Sequence, residues 1–366
     1  MRSASTWGRG VVMAAAVMAA TACGATRGPM EKVTIPKGAS FRVAAESLAA
    51  HGLIRSPRLF GVYATVLRRD RTMRYGTYML ARGTSWHELL NDLRRGKGIV
   101  HVVTIPEGYD LSQIVPLLAA SLDVSRDSLE MAIRDSTLRR ELDVPTPSLE
   151  GYLFPDTYIF PDQITAHEAV AAMVHRFQQV WKPEWDALAD SLKLSRHDVV
   201  TLASIVEREV RKRDEGPVVA AVYLNRLRTR MPLQADPTVT YALGKRPGRV
   251  YYRDLRVNSP YNTYKVLGLP PGPIGSPGLA SLTATLNPAK VPYRFFVAHP
   301  DGHHEFRTTY REHLAAIQMV RAAARVDSAA REAAAVRAAR DSAARAAGAP
   351  LESLPTLNAR PKTKRP

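Results

Sequence analysis

The chain has 366 residues, 45% of them hydrophobic, with 51 Lys or Arg against 34 Asp or Glu and a formal charge of +17. That length allows one large or two ordinary domains with real cores, and a lone cysteine, Cys23, excludes a scaffold stapled by internal disulfides. The charge raises the nucleic-acid class, because Lys and Arg clusters bind phosphate polymers without reading sequence. From Ala315 onward ten Lys or Arg face four Asp or Glu, so the last segment holds +6 of the +17 and the body holds +11.

At the amino terminus Arg2 and Arg9 precede the apolar run Val11 to Ala22, which ends in small residues and Cys23. This is the layout of an export signal, and the run is shorter than the roughly 20 residues of a usual spanning helix. Cys23 stands where a bacterial lipoprotein signal places its lipidated residue, although the preceding "ATA" lacks the usual leucine. Residues 1–23 therefore read as an export signal or membrane anchor, with lipidation at Cys23 as the alternative attachment. Either route places the rest outside the cytoplasm, beside the membrane. Export argues against nucleic acid, and a basic envelope protein meets anionic lipid head groups or acidic wall polymer instead.

From Val33, "VTIPKGASFRVAAESLAA" predicts a strand, a Pro-Gly turn and a helix. A second strand precedes Thr84 and Ser85, either able to cap a helix with Leu89, Leu90 and Leu93. "VVTIPEGYDLSQIVPLLAASL", Val102 to Leu122, repeats the first motif and indicates an internal duplication. The turn-rich "PTPSLEGYLFPDTYIFP" predicts a domain boundary near residue 146, with Glu150 and Asp156 as structural residues. Beyond it come helices over 167–192 (interrupted at Pro183), 195–213 and 217–230. Two long Pro/Gly-rich loops follow, of the kind that usually form functional surfaces, then a helix at "LASLTATLN" and a strand at "YRFFVAHP". The Ala/Arg-rich segment from Arg311 reads as an exposed basic helix, since Ala and Arg favour helix but cannot build a core.

The stretch "TLASIVEREV", Thr201 to Val210, sets two carboxylates in an apolar helix. A low-dielectric setting raises a carboxyl pKa, which suits a general acid. On a helical wheel Glu207 falls beside Val200, Ala203 and Val210, and Glu209 beside Leu202 and Ile205, so periodicity does not choose between them. His299, His303 and His304, with no cysteine nearby, are a weak metal signal, and no metal or other cofactor is expected.

"LEGYLFPDTY", "ASIVERE", "LQADPTVTYALG", "SPYNTY", "GLPPGPIGSPG" and "HHEF", in this order, resemble the endolytic murein transglycosylases of the YceG-like family over about Val33 to Leu314. The resemblance implies an α+β protein with a LysM-like N-terminal domain over 31–145, a catalytic domain over 146–314 and a basic helical tail over 315–366. It maps the single catalytic acid onto Glu207. It further implies cleavage of peptidoglycan glycan strands without water, giving 1,6-anhydro ends that terminate strand growth, with penicillin-binding synthases as partners. Gln234, Asp236, Asn262 and Tyr264 are the candidate substrate-binding residues in the polar loops, since such clefts use a few fixed polar groups. The alternative is a non-catalytic envelope protein that binds peptidoglycan.

Overall fold

Residues 28–245, 248 and 250–346 are described by the computed structural model. The expected export segment and Cys23 lie outside these residues, as does the chain after Ala346. Among the described residues no helix is long and apolar enough to cross a membrane. The protein is α+β and divides into two compact units at Lys182/Pro183.

The first unit is built on one four-stranded sheet in the order β1 (Met30–Ile35), β2 (Gly76–Ala81), β3 (Ile99–Thr104), β4 (Thr157–Pro161). Every neighbouring pair is antiparallel: Val33 faces Tyr78, Thr77 faces Val100, and Val102 faces Ile159. Between β1 and β2 run α1 (Phe41–Ala50) and α2 (Pro57–Val66), and α3 (Trp86–Arg95) links β2 to β3. Between β3 and β4 run α4 (Leu111–Leu122), α5 (Arg126–Ile133) and α6 (Ser136–Glu141). The duplication read in the two "VTIP" motifs is thus a repeated strand–helix–strand unit. Ile35 and Ile105 are both buried before the turn, and Ser40 and Asp110 occupy the two N-caps. Alternation along the strands sends Val33, Ile35, Tyr78 and Leu80 into a core completed by Leu48, Phe60 and Leu89.

The turn-rich stretch expected to open the second domain folds with the first unit. Thr157–Pro161 closes the sheet by pairing with β3, and α7 (Ala166–Val180) packs on α5. Leu149, Tyr152 and Leu153 are fully buried. Glu150 accepts hydrogen bonds from the Leu111 N–H at the start of α4 (3.2 and 3.3 Å), and Asp156 pairs with Arg176 at 2.7 Å. Both acids are therefore structural, as expected.

The second unit is mostly helical: α8 (Glu184–Leu192), α9 (Arg196–Glu209), α10 (Gly216–Arg228), α11 (Asp236–Ala242) and α12 (Leu279–Leu286), with the hairpin β5 (Phe295–Ala298) and β6 (His304–Arg307). Its core joins Leu202, Ile205 and Val206 of α9 to Val219, Tyr223 and Leu224 of α10, together with Leu233 and Ile274. α13 (Tyr310–Ala346) is anchored by its first turns, where Ala316 is buried and His313 stacks on Phe295 at 5.2 Å. Beyond these turns Val326 and Val336 are exposed, so the basic helix contributes no core there.

Candidate active site

α9 begins with a reciprocal capping box: Ser195 Oγ accepts from the Asp198 N–H, and the Asp198 carboxylate accepts from the Ser195 N–H at 2.9 Å. Every residue from Val199 to Val206 is buried, so the helix is apolar all round and enclosed. Polarity returns only in the last turn, where Glu207, Arg208 and Glu209 are partly exposed. The helix stops at Glu209, short of the expected Arg213, because Val210 leaves helical geometry at ψ 123°. The chain is then drawn to the β5–β6 hairpin, where Glu215 accepts hydrogen bonds from the His304 N–H and pairs with its ring at 2.7 Å.

The segment Gly272–Gly278 is buried although it has no regular structure. A buried loop must find partners for its backbone, and α9 supplies them. Ser204 Oγ accepts from the Ile274 N–H at 3.0 Å while donating to the Thr201 carbonyl. Glu207 Oε2 accepts from the Gly278 N–H at 2.9 Å, at the residue that caps α12. Glu207 is partly exposed, and no other hydrogen bond to its carboxylate is found among the described residues.

The raised carboxyl that a general acid at Glu207 calls for is found on its neighbour Glu209. Burial pushes it to about 7 and the Asp236 carboxylate adds to the rise, against the hydrogen bond from Tyr223 Oη (2.9 Å) and the charge of Arg226. Arg226 is itself buried, giving Nε to the Arg294 carbonyl and Nη1 to that of Leu233, both at 2.6 Å.

The candidate substrate residues sort into two kinds. Gln234 and Asp236 are exposed, and Gln234 holds φ at +50°, a left-handed conformation costly for this residue type. Asp236 opens α11 and accepts from Tyr264 Oη at 2.5 Å; burial first, and then this carboxylate, push the phenol pKa up. Asn262 instead is fully buried. Its amide donates to the carbonyls of Leu255 and Val257, and its oxygen accepts from the Tyr264 N–H at 3.1 Å. Asn262 therefore shapes the loop that presents Tyr264. Thr263 ties the two loops together, accepting at its carbonyl from the Gln234 N–H and at its hydroxyl from the Ala235 N–H.

Tyr223, Arg226 and Ser204 complete the surroundings of the two glutamates without having been singled out in the sequence. The available signal was a tyrosine and an arginine three residues apart, one helical face, in the otherwise apolar "VVAAVYLNRLR". The three histidines each meet a carboxylate: His299 with Glu305, His303 with Asp301 and His304 with Glu215.

An α+β chain whose carboxylate-bearing helix end is covered by a glycine- and proline-rich loop is the class these elements define. The chain belongs to the YceG-like family, whose model matches residues 33–319. It is 33% identical over 296 residues to the endolytic murein transglycosylase of Bacillus subtilis strain 168, covering 77% of this chain and 82% of that protein. A protein of the same name from Streptococcus pneumoniae serotype 2 strain D39 is 29% identical over 297 residues, 73% of this chain; the match spans 54% of the pneumococcal protein. The crystal structure of a yceG-like protein from Listeria monocytogenes superposes with a TM-score of 0.58 at 30% identity, covering 78% of this chain and 98% of that one.

Proposed function

We propose that this protein is an endolytic lytic transglycosylase of peptidoglycan. It cleaves the β-1,4 bond between N-acetylmuramic acid and N-acetylglucosamine within nascent strands and leaves a 1,6-anhydro end. The observation that supports this most is the placement of Glu207 at the partly exposed end of a buried helix, with one carboxylate oxygen held by the Gly278 N–H. The name borne by the B. subtilis and S. pneumoniae relatives supports the same activity.

A glycosidase that hydrolyses its bond uses two carboxylates, one as acid and one as base or nucleophile. Here one suffices, because the attacking hydroxyl belongs to the substrate. Glu207 protonates the glycosidic oxygen as the bond breaks, and the substrate's 2-acetamido group stabilises the developing cation. The resulting carboxylate then takes the proton from the C6 hydroxyl as that oxygen bonds to C1. Gln234, Asp236 and Tyr264 hold sugar hydroxyls and amides, with Asn262 acting through the loop it braces. The repeated strand–helix–strand units of the first unit support a LysM-like, glycan-holding front. In this reading the protein works at the outer face of the cytoplasmic membrane, anchored by residues 1–23 or lipidated at Cys23, and limits strand length beside penicillin-binding synthases.

Chromatography of digested cell wall from cells with and without the protein tests the activity. Internal 1,6-anhydro ends that depend on the protein are expected, and hydrolysed reducing ends in their place would overturn the transglycosylase assignment.

A further inference from the structure

Glu209 has no part in the chemistry assigned to Glu207, yet it is held as firmly. Two residues turn an α-helix by about 200°, so the two side chains leave α9 on different sides. Glu207 reaches Gly278, whereas Glu209 accepts from Tyr223 Oη, a fully buried phenol on α10 packed edge-on against Phe296 at 5.8 Å. The charged and titratable groups facing Glu209 come from several elements. Tyr223 and Arg226 lie on α10, Asp236 opens α11, and Tyr264 stands on its loop. A cavity of about 940 Å³ that Glu209 lines adds Arg208 of α9, Arg211 just beyond its end, and His299 and His304 of the hairpin.

We propose that Glu209 is a positioning residue, clamping the end of α9 to α10 through Tyr223 beside the Asp236–Tyr264 pair, and that its charge state sets how well that pair receives the glycan strand. This rests on the function proposed above. A neutral carboxyl accepts from Tyr223 and keeps its own proton. Losing that proton places a second carboxylate near that of Asp236, and murein strands themselves bear carboxylates. Burial, with Asp236 acting in the same direction, holds the proton until about pH 7, so strand binding weakens as the pH rises through that value. The neighbouring histidines also titrate in this range, and a variant at Glu209 separates its contribution from theirs.

The test measures binding of purified glycan strands at pH 6 and pH 8 to Glu207→Gln, which does not turn them over, and to the same protein also carrying Glu209→Gln. The amide retains an acceptor for Tyr223 and cannot ionise. KM and kcat over the same pH range, with Glu207 intact, form the second readout. With Glu209 present, the ratio of affinity at pH 6 to that at pH 8 is expected to exceed that of the Gln variant by about tenfold, the change in protonation of one group titrating near 7, and the effect should fall on KM rather than kcat. Equal ratios with and without Glu209 would overturn the proposal, as would a folded Glu209→Gln protein that loses binding equally at both pH values. Absence of cleavage by the wild type, alongside Glu209-dependent binding, would remove the lytic activity and leave the positioning role standing. Absence of strand binding at either pH would overturn both.

Discussion

The two sides of the last turn of α9 put the same side chain to opposite uses. On one side the partly exposed Glu207 meets a loop that offers a backbone N–H; on the other, Glu209 accepts from Tyr223 with Arg226 and Asp236 near it. The two residues share a helix, a local sequence and a side-chain type, so what separates them is supplied by elements far away in the chain: Gly278 for one, Tyr223 and Asp236 for the other. Chemistry in this protein is assigned by tertiary surroundings, and each side of the turn can be perturbed separately.

The largest expected effect is on the Glu207 side. Under the proposed function Glu207→Gln removes the acid and the base together, and cleavage is expected to fall by about 10²–10⁴-fold, read as the rate of anhydro-end formation. Glu209→Gln acts on the pH dependence of stability. Its folded pKa of about 7 lies above the ordinary 4.5, so the folded state binds this proton more tightly than the unfolded chain. The stabilisation is fully present below about pH 4.5 and is lost as the pH rises through 7. Since the residue retains some exposure, the loss at pH 8 is expected on the order of 2 kcal/mol. Urea unfolding at pH 5 and pH 8 should show this difference in the wild type and not in Glu209→Gln.

Ser204→Ala probes the loop that makes the Glu207 side. It leaves the buried Ile274 N–H without its acceptor, for a loss of about 1–3 kcal/mol in denaturant unfolding, with cleavage also reduced because Gly278 belongs to the same loop. The smallest effect comes from the far end of the helix. Ser195→Ala breaks the capping box at a cost of about 1 kcal/mol; it should lower the melting temperature and leave the pH dependence set by Glu209 intact.

Much of this architecture was readable in advance. The duplicated "VTIP" motifs, the helix around "ASIVERE" and the loop-like "GLPPGPIGSPG" all appear where local pattern places them. The choice between Glu207 and Glu209 was not readable from periodicity, because α9 is buried on every side from Val199 to Val206 and has no polar face to orient it. "LEGYLFPDTYIFP" has the composition of a boundary, yet its strand pairs with β3 and its acids serve α4 and Arg176; pairing across such a sequence distance leaves no local signature. The expected extension of α9 to Arg213 failed for a related reason, since the Glu215–His304 contact redirects the chain. Asn262 and Tyr264 looked alike as polar loop residues, and burial alone separates the brace from the presented side chain.

The most direct test of the central claim is mass spectrometry of purified glycan strands incubated with the protein, wild type beside Glu207→Gln. Fragments lighter by one water than hydrolytic products are expected from the wild type and not from the variant. Hydrolytic fragments from the wild type, or anhydro products undiminished in Glu207→Gln, would contradict that claim.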